Sequence, residues 1–224
     1  MKTQQTRAIV LRRTNYGEAD RVLQLLTPKG KLSVMARSVR REKSRLAGGI
    51  ELFAVSEVVI GEGKGELGVL VSARLIHFYS NIMANYDRMQ FGYTAIKLVL
   101  KSSDIVGESD WYDVLLETFM GLDSSSIDIN LVKTWFYLRY AMLMGYELSL
   151  WHDIVGNKLS KEQKYSYDVA EHGLRADDNG EITSEHIKIL RLIATRSIRT
   201  LAQIGGINDV IGDCFNIVRE HAAI

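Results

Sequence analysis

The sequence predicts an α+β chain in two parts, a small five-stranded β-barrel and then an all-helical region. Three observations predict it. Through residue 80 apolar residues recur at every second position, in short runs broken by glycine and proline turns. From about residue 81 they recur at helical spacing instead. The charge changes at the same place. Residues 1–80 hold 14 of the 28 Lys and Arg but only 7 of the 27 Asp and Glu, a net of +7 against −6 for the rest. The expected modules are therefore residues 1–80 and 81–224, with different partners, the first facing an anion. A hydrophobic content of 46% can fill a core, which excludes a disordered chain.

The strands follow in order. Ala8–Leu11 is a β-branched run ending in Arg12-Arg13, and Asn15-Tyr-Gly17 supplies a turn. Arg21–Thr27 resumes the strand, and Pro28-Lys-Gly30 turns tightly, with Gly30 free to take positive φ. In Lys31–Arg37 one face carries Leu32, Val34 and Ala36 and the other Lys31, Ser33 and Arg37. A further strand is expected from Glu51 to Ile60. After the turn Gly61–Gly65, Leu67, Val69, Val71, Ala73 and Leu75 alternate in a last one. Five strands in about eighty residues with no long helix between them predict a closed barrel such as the OB-fold. Within it Gly63-Lys-Gly-Glu-Leu-Gly68 matches G-x-G-x-x-G but leads into a strand. It therefore reads as a hairpin turn and not as a dinucleotide loop.

Between the third and fourth strands lies Arg37-Ser-Val-Arg40-Arg41-Glu-Lys43-Ser-Arg45, five cations and one anion in nine residues. Such a loop on a small barrel suits a polyanion backbone, because clustered cations displace condensed counterions. The plainer reading is a solvated loop that aids solubility. Arg37, Arg40, Arg41, Lys43 and Arg45, with Arg12, Lys29 and Lys31 nearby in sequence, are the candidate nucleic-acid contacts. Tyr16 is a candidate for base stacking.

The helical part begins with Tyr86–Lys101, where Met89, Tyr93, Ile96 and Leu100 share a face. Trp111–Leu122 turns Val114, Leu115, Phe119 and Leu122 inward. Leu131, Trp135, Leu138 and Met142 form the clearest stripe, stopped by Gly145. Ile187, Leu190, Ala194 and Ile198 line a fourth helix that Thr183 caps, and Ile207–His221 reads as the last, with Asn208 as its cap. These stripes read as core and not as ligand boxes.

Ala8-Ile-Val-Leu-Arg-Arg13, Tyr16-Gly-Glu-Ala-Asp-Arg21, Leu26-Thr27, Gly30-Lys-Leu32, Ala36-Arg37 and Arg40-Arg-Glu-Lys-Ser-Arg-Leu46 together resemble the amino-terminal domain of the RecO family of bacterial recombination mediators. Phe136–Tyr146, Tyr165–Tyr167 and Gly173-Leu174 extend the likeness. Ser38 departs from it, standing where a glycine is common, and no proline interrupts Arg41–Lys43; neither change removes a cation. The resemblance implies an OB-fold followed by a helical domain. It also implies binding of single- and double-stranded DNA, annealing of complementary strands, and loading of RecA with RecR onto DNA coated by single-strand-binding protein. In Gly17-Glu-Ala-Asp20-Arg21 an Asp–Arg pair is expected to fix the turn, since a carboxylate beside phosphate repels. The family's helical domain receives the acidic, Phe-ended tail of single-strand-binding protein, for which Lys133 and Arg139 are the candidates; both also fit as ordinary exposed helix charges.

Many relatives carry four zinc-binding cysteines in the loop-rich stretch at about residues 150–181. This chain has one cysteine in all, Cys214, so neither that site nor a disulfide framework can form within it. His152, Asp153, His172, Asp177 and Asp178 make a poor substitute without thiolates. Asp177-Asp-Asn-Gly180 fails as a calcium loop because Arg175 and His186 occupy ligand positions. The expectation is a hairpin or loop held by turn chemistry, with no metal and no cofactor. No nucleophile elbow, Walker loop or H-E-x-x-H motif occurs, and Cys214 sits in an apolar helical pattern, so no enzyme is expected. No signal peptide or run of about 18 apolar residues is found, which points away from a membrane and to the cytoplasm and its nucleoid. The alternatives are a protein-interaction scaffold that has lost DNA binding, and an OB-fold RNA-binding protein.

Overall fold

The computed structural model describes residues 3–65, 67–104 and 110–222. Five strands, β1 (Thr3–Tyr16), β2 (Asp20–Thr27), β3 (Gly30–Ala36), β4 (Ala54–Lys64) and β5 (Leu67–Phe78), close into a barrel in the order β1-β2-β3-β5-β4. All pairs are antiparallel except β3 with β5. This is the expected OB barrel. One long strand makes closure possible. The first half of β1 pairs with β4 and the second with β2, and the register shifts between Val10 and Arg12 where the strand bends. Ala8, Val10, Leu23, Leu25, Val34, Ala36, Val58, Ile60 and Leu70 form one buried cluster in the interior. In β5 the expected set is not the buried face: Leu70 is buried while Val71 and Leu75 are exposed, because register shifts interrupt the β4–β5 pairing. The strand expected from Glu51 starts instead at Ala54, because Phe53 adopts φ 55° and turns its ring out of strand register. The glycine-rich motif is the β4–β5 hairpin turn, with Lys64 opposite Leu67; its Glu66 lies outside the described residues.

The chain divides into two compact units, one ending at Asp123 and the other beginning at Ser124. Helices α1 (Ser80–Ala84), α2 (Tyr86–Ser102) and α3 (Trp111–Asp123) belong to the barrel's unit. Phe53 joins them to it. Its ring is fully buried, packs edge-on to Tyr93 at 4.9 Å and Phe119 at 5.6 Å, and lies so close to Gly92 that a Cβ there would sit 2.7 Å from its Cε1. This contact selects the buried face of α2. That face is Phe91, Gly92, Ala95, Ile96 and Val99, so the stripe expected through Met89, Tyr93 and Leu100 is its edge and only Ile96 is shared. In α3 the four expected inward residues are all buried.

In the second unit α4 (Ile129–Leu143) is the central helix. It buries Leu131, Trp135 and Leu138 as expected, but Met142 is exposed. Gly145, at φ 83°, stops it: the Tyr146 N–H donates to the Ala141 carbonyl (3.0 Å) and the Gly145 N–H to that of Met142 (3.1 Å), a Schellman cap. The short strands β6 (Tyr165–Asp168) and β7 (Gly173–Ala176) form a hairpin, followed by α5 (Ser184–Thr195), α6 (Ile198–Leu201) and α7 (Ile207–His221). Thr183 is the cap of α5 as expected, its N–H donating to His186 Nδ1 at 3.1 Å. The fourth helix does not reach Ile198. Arg196 is extended, its carbonyl accepts the Trp135 indole N–H at 2.8 Å, and Ser197 restarts the chain by capping α6. The cap of α7 is Gly206, at φ 78°, and not Asn208.

Candidate nucleic-acid interface

The basic loop leaves β3 at the barrel end where Tyr16 and Asp20 close the β1–β2 turn. Its backbone is pinned there. Ser38, at φ 53°, donates its N–H to Asp20 Oδ1 at 2.6 Å. The Arg40 N–H donates to the Ala19 carbonyl (2.9 Å) and Arg40 Nη1 to that of Gly17 (3.2 Å). Val39 is 3% exposed and reaches into the barrel core. Tight turns then carry the chain on, through Arg41 N–H to the Ser38 carbonyl and Ser44 N–H to that of Arg41. The consequence is a fixed backbone with outward side chains: Arg37, Arg40, Arg41, Lys43 and Arg45 are all exposed. No carboxylate pairs with any of the five among the described residues. Tyr16, 59% exposed, stands at the same end of the barrel. The cations on a preset backbone can hold a nucleotide strand by its phosphates, and the Tyr16 ring can stack one base while the others stay free.

Asp20 plays a structural part, as expected, but with a different partner. It holds the loop through Ser38, while Arg21 Nε donates to Asn15 Oδ1 at 3.1 Å. Sequence reasoning missed the anchors Gly17, Ala19 and Val39. Only Val39 leaves a signal, as the one apolar residue inside a basic run.

The other candidate cations lie elsewhere. Arg12 is exposed midway along β1, opposite Gln24. Lys29 is exposed on the β2–β3 turn, at the far end of the 7-residue β3 from the loop, roughly 20 Å away at strand rise. Lys31 turns onto the end of α2, where its ammonium pairs with Asp104 beside the Leu100 carbonyl and its side chain is 14% exposed. The structure therefore groups the five loop cations and separates Lys29 and Lys31 from them. Arg13 and Arg74 are engaged too, with Glu51 (2.9 Å) and Glu57 (3.0 Å).

Lys133 and Arg139 sit six residues apart on α4, about 120° around its axis. Lys133 Nζ lies 5.3 Å from the Phe215 ring of α7, and the Arg139 guanidinium 5.3 Å from Trp135, beside a small slot edged by Leu138, Met142 and Leu148. The two are not brought to one place.

In the loop-rich stretch at about residues 150–181, aspartates hold the turns. Asp153 accepts the N–H groups of Val155 (3.0 Å) and Asn157 (2.8 Å). Asp168 accepts those of Ala170 (3.0 Å) and Glu171 (2.9 Å) and pairs with Arg175. These carboxylates are already occupied, and no three His, Cys, Asp or Glu gather in a metal-holding group among the described residues, so the residues present do not fit zinc. Cys214 is fully buried, and burial pushes its thiol up to about 12, the opposite of an activated nucleophile. No helix among the described residues is long and apolar enough to cross a membrane.

A closed five-stranded barrel in OB order with a pinned basic loop at one end, followed by helices, defines an OB-barrel protein with a helical second part. Residues 1–79 match the family described as Recombination protein O N terminal, and residues 84–223 match Recombination protein O C terminal. The chain belongs to the RecO family. Among its relatives is the DNA repair protein RecO of Dehalococcoides mccartyi, 33% identical over 147 residues, which are 65% of this chain and 57% of that protein. That of Heliobacterium modesticaldum is 35% identical over 153 residues, 67% of this chain and 55% of the relative. That of Syntrophomonas wolfei is 22% identical over 208 residues, 89% and 82%. Against the first two, the match spans little more than half the relative's length.

Proposed function

We propose that this protein is a DNA-repair and recombination mediator that acts without an active site. The barrel, residues 1–80, binds single- and double-stranded DNA, and residues 81–224 serve partner proteins. The observation that carries this reading is the basic loop: five exposed cations on a backbone tied to the adjacent turn. Annealing needs only that. Cations on a fixed frame screen the repulsion between two phosphate backbones and leave the bases to pair. With RecR, the protein helps load RecA onto DNA coated by single-strand-binding protein, whose acidic tail is received on α4 by Arg139 or Lys133. This work takes place in the cytoplasm, at the nucleoid.

The test is fluorescence anisotropy with labelled single-stranded DNA at rising salt, for the wild type and Arg41→Glu/Lys43→Glu/Arg45→Glu. Arg40 is spared because it also holds the loop. Three to five phosphate contacts give a log–log salt slope of roughly −2 to −3.5 in the wild type. The variant is expected to lose most of that slope and the annealing of complementary oligonucleotides. A variant that binds like wild type places the DNA elsewhere. A wild type that binds RecR or the tail peptide but no DNA at low salt makes the protein a scaffold. A clear preference for RNA makes it an RNA-binding member of the same fold.

A further inference from the structure

The second unit carries an aromatic platform that the barrel reading leaves unused. Of the three tryptophans, Trp111 is 1% exposed and Trp135 6%, but Trp151 is 63% exposed. Its ring is not loose. The Arg191 guanidinium stacks on it 3.9 Å from the centroid, and Arg191 is itself locked by Nε and Nη2 donating to the Leu150 carbonyl at 2.9 and 2.7 Å. The Leu159 N–H donates to the Trp151 carbonyl at 3.0 Å, fixing the backbone as well. One face of the indole is thus covered by a cation while much of the ring stays open to solvent, over a groove of about 480 Å3.

Charge sorts the surroundings. Lys158 is exposed and bridged to His152, next to the tryptophan. Beyond Arg191 a second groove, about 430 Å3, is walled by Lys161, Lys188, Ser160 and Ser184. Arg191 lines both grooves. The acids on these walls are Glu147 and Glu185, against the cations Lys161, Lys188 and Arg191. Asp153 is folded into its own turn. Glu162, exposed next to Lys161, is a further acid near the second groove, while Asp177, Glu181, Asp213 and Glu220 line a separate groove.

Resting on the reading of this chain as a DNA-binding protein, we infer that Trp151 is a second single-strand contact: a base stacks on the open indole and the adjoining phosphates lie over Lys188 and Lys161. The immobilised ring loses little freedom on binding, and the guanidinium behind it adds a cation to the stack. Every base has a π-face, so the contact is indifferent to sequence, which suits a protein that must act on any strand.

Because the other two tryptophans are buried, quenching of the emission by a bound ligand reports chiefly on Trp151. Titration with oligo(dT) of about 30 nucleotides at low salt is expected to quench the exposed tryptophan emission of the full chain. Lys161→Glu/Lys188→Glu should keep that emission and lose the quenching. Trp151→Leu, read by anisotropy of labelled DNA, is expected to weaken binding by about fivefold or more, since one stacked base commonly contributes that much. The side chain is exposed, so an unchanged melting temperature certifies the fold. If wild type binds DNA, the barrel-loop variant loses it, and Trp151→Leu matches wild type with no quenching, the DNA-binding reading stands and this inference falls. If a Phe-ended acidic peptide quenches Trp151 and oligo(dT) does not, the groove belongs to a protein tail and the inference falls. If the wild type binds no DNA at all, both fall.

Discussion

Single residues carry much of this structure's specificity. Ser38 occupies a left-handed conformation, at φ 53°, that favours glycine. A side chain there costs on the order of 1 kcal/mol, yet the residue must turn so that its N–H meets Asp20. Ser38→Gly is expected to raise stability by about 1 kcal/mol in chemical denaturation while leaving DNA affinity unchanged. His221 is a second such residue. It is 2% exposed, with Nε2 donating to the Tyr146 carbonyl (2.7 Å) and Nδ1 accepting from the Tyr167 hydroxyl (3.0 Å). Burial, with His172 nearby, holds its pKa below the ordinary 6.5, although the Tyr146 carbonyl pulls the other way. The unfolded chain then binds the proton more readily than the folded one. The stability is complete above pH 6.5 and declines as pH falls below it. Melting temperature against pH should show that decline, and His221→Gln should flatten it.

At the scale of elements, one contact decides how helices join the barrel. Phe53 breaks the approach to β4 and drives its ring onto Gly92. Phe53→Ala is expected to cost about 3–5 kcal/mol by emptying that site. Gly92→Ala should cost about 1–3 kcal/mol, because the added methyl meets the ring. Both are read from denaturation midpoints, and a neutral Gly92→Ala would mean the ring moves freely. The β6–β7 region makes the complementary case. Its turns are closed by Asp153 and Asp168 accepting backbone N–H groups. A strong chelator should leave the melting temperature unchanged, and Asp168→Ala should lower it. Helix periods were readable in the sequence at this scale, but their exact faces were not: the α2 stripe is rotated toward Phe53, a residue more than thirty positions away.

For the whole molecule, the net charge of +1 conceals an arrangement in which the barrel is basic and the remainder acidic. Electrostatic binding through one loop is expected to be steep in salt. Affinity for single-stranded DNA should fall roughly 20- to 100-fold between about 50 and 200 mM salt, measured by anisotropy. A fall of less than threefold would mean that phosphate contacts do not drive association.

By itself the sequence determined the barrel's five strands, the helices after it, the basic loop and the absence of a cysteine metal site. Those properties are local: a strand's alternation, a helix's period and a run of arginines are written in adjacent residues. Tertiary structure decided the rest. It closed the barrel through a parallel β3–β5 pair, broke the fourth helix at Arg196, and gave Asp20 the loop instead of Arg21. It also drew five cations and Tyr16 to one end while sending Lys29 to the other and Lys31 to Asp104. The physical reason is common to all of these. Which side chains meet depends on contacts between residues far apart in the chain, and a hydrogen bond or ion pair is chosen by what lies within about 3 Å after folding, not by what is near in sequence.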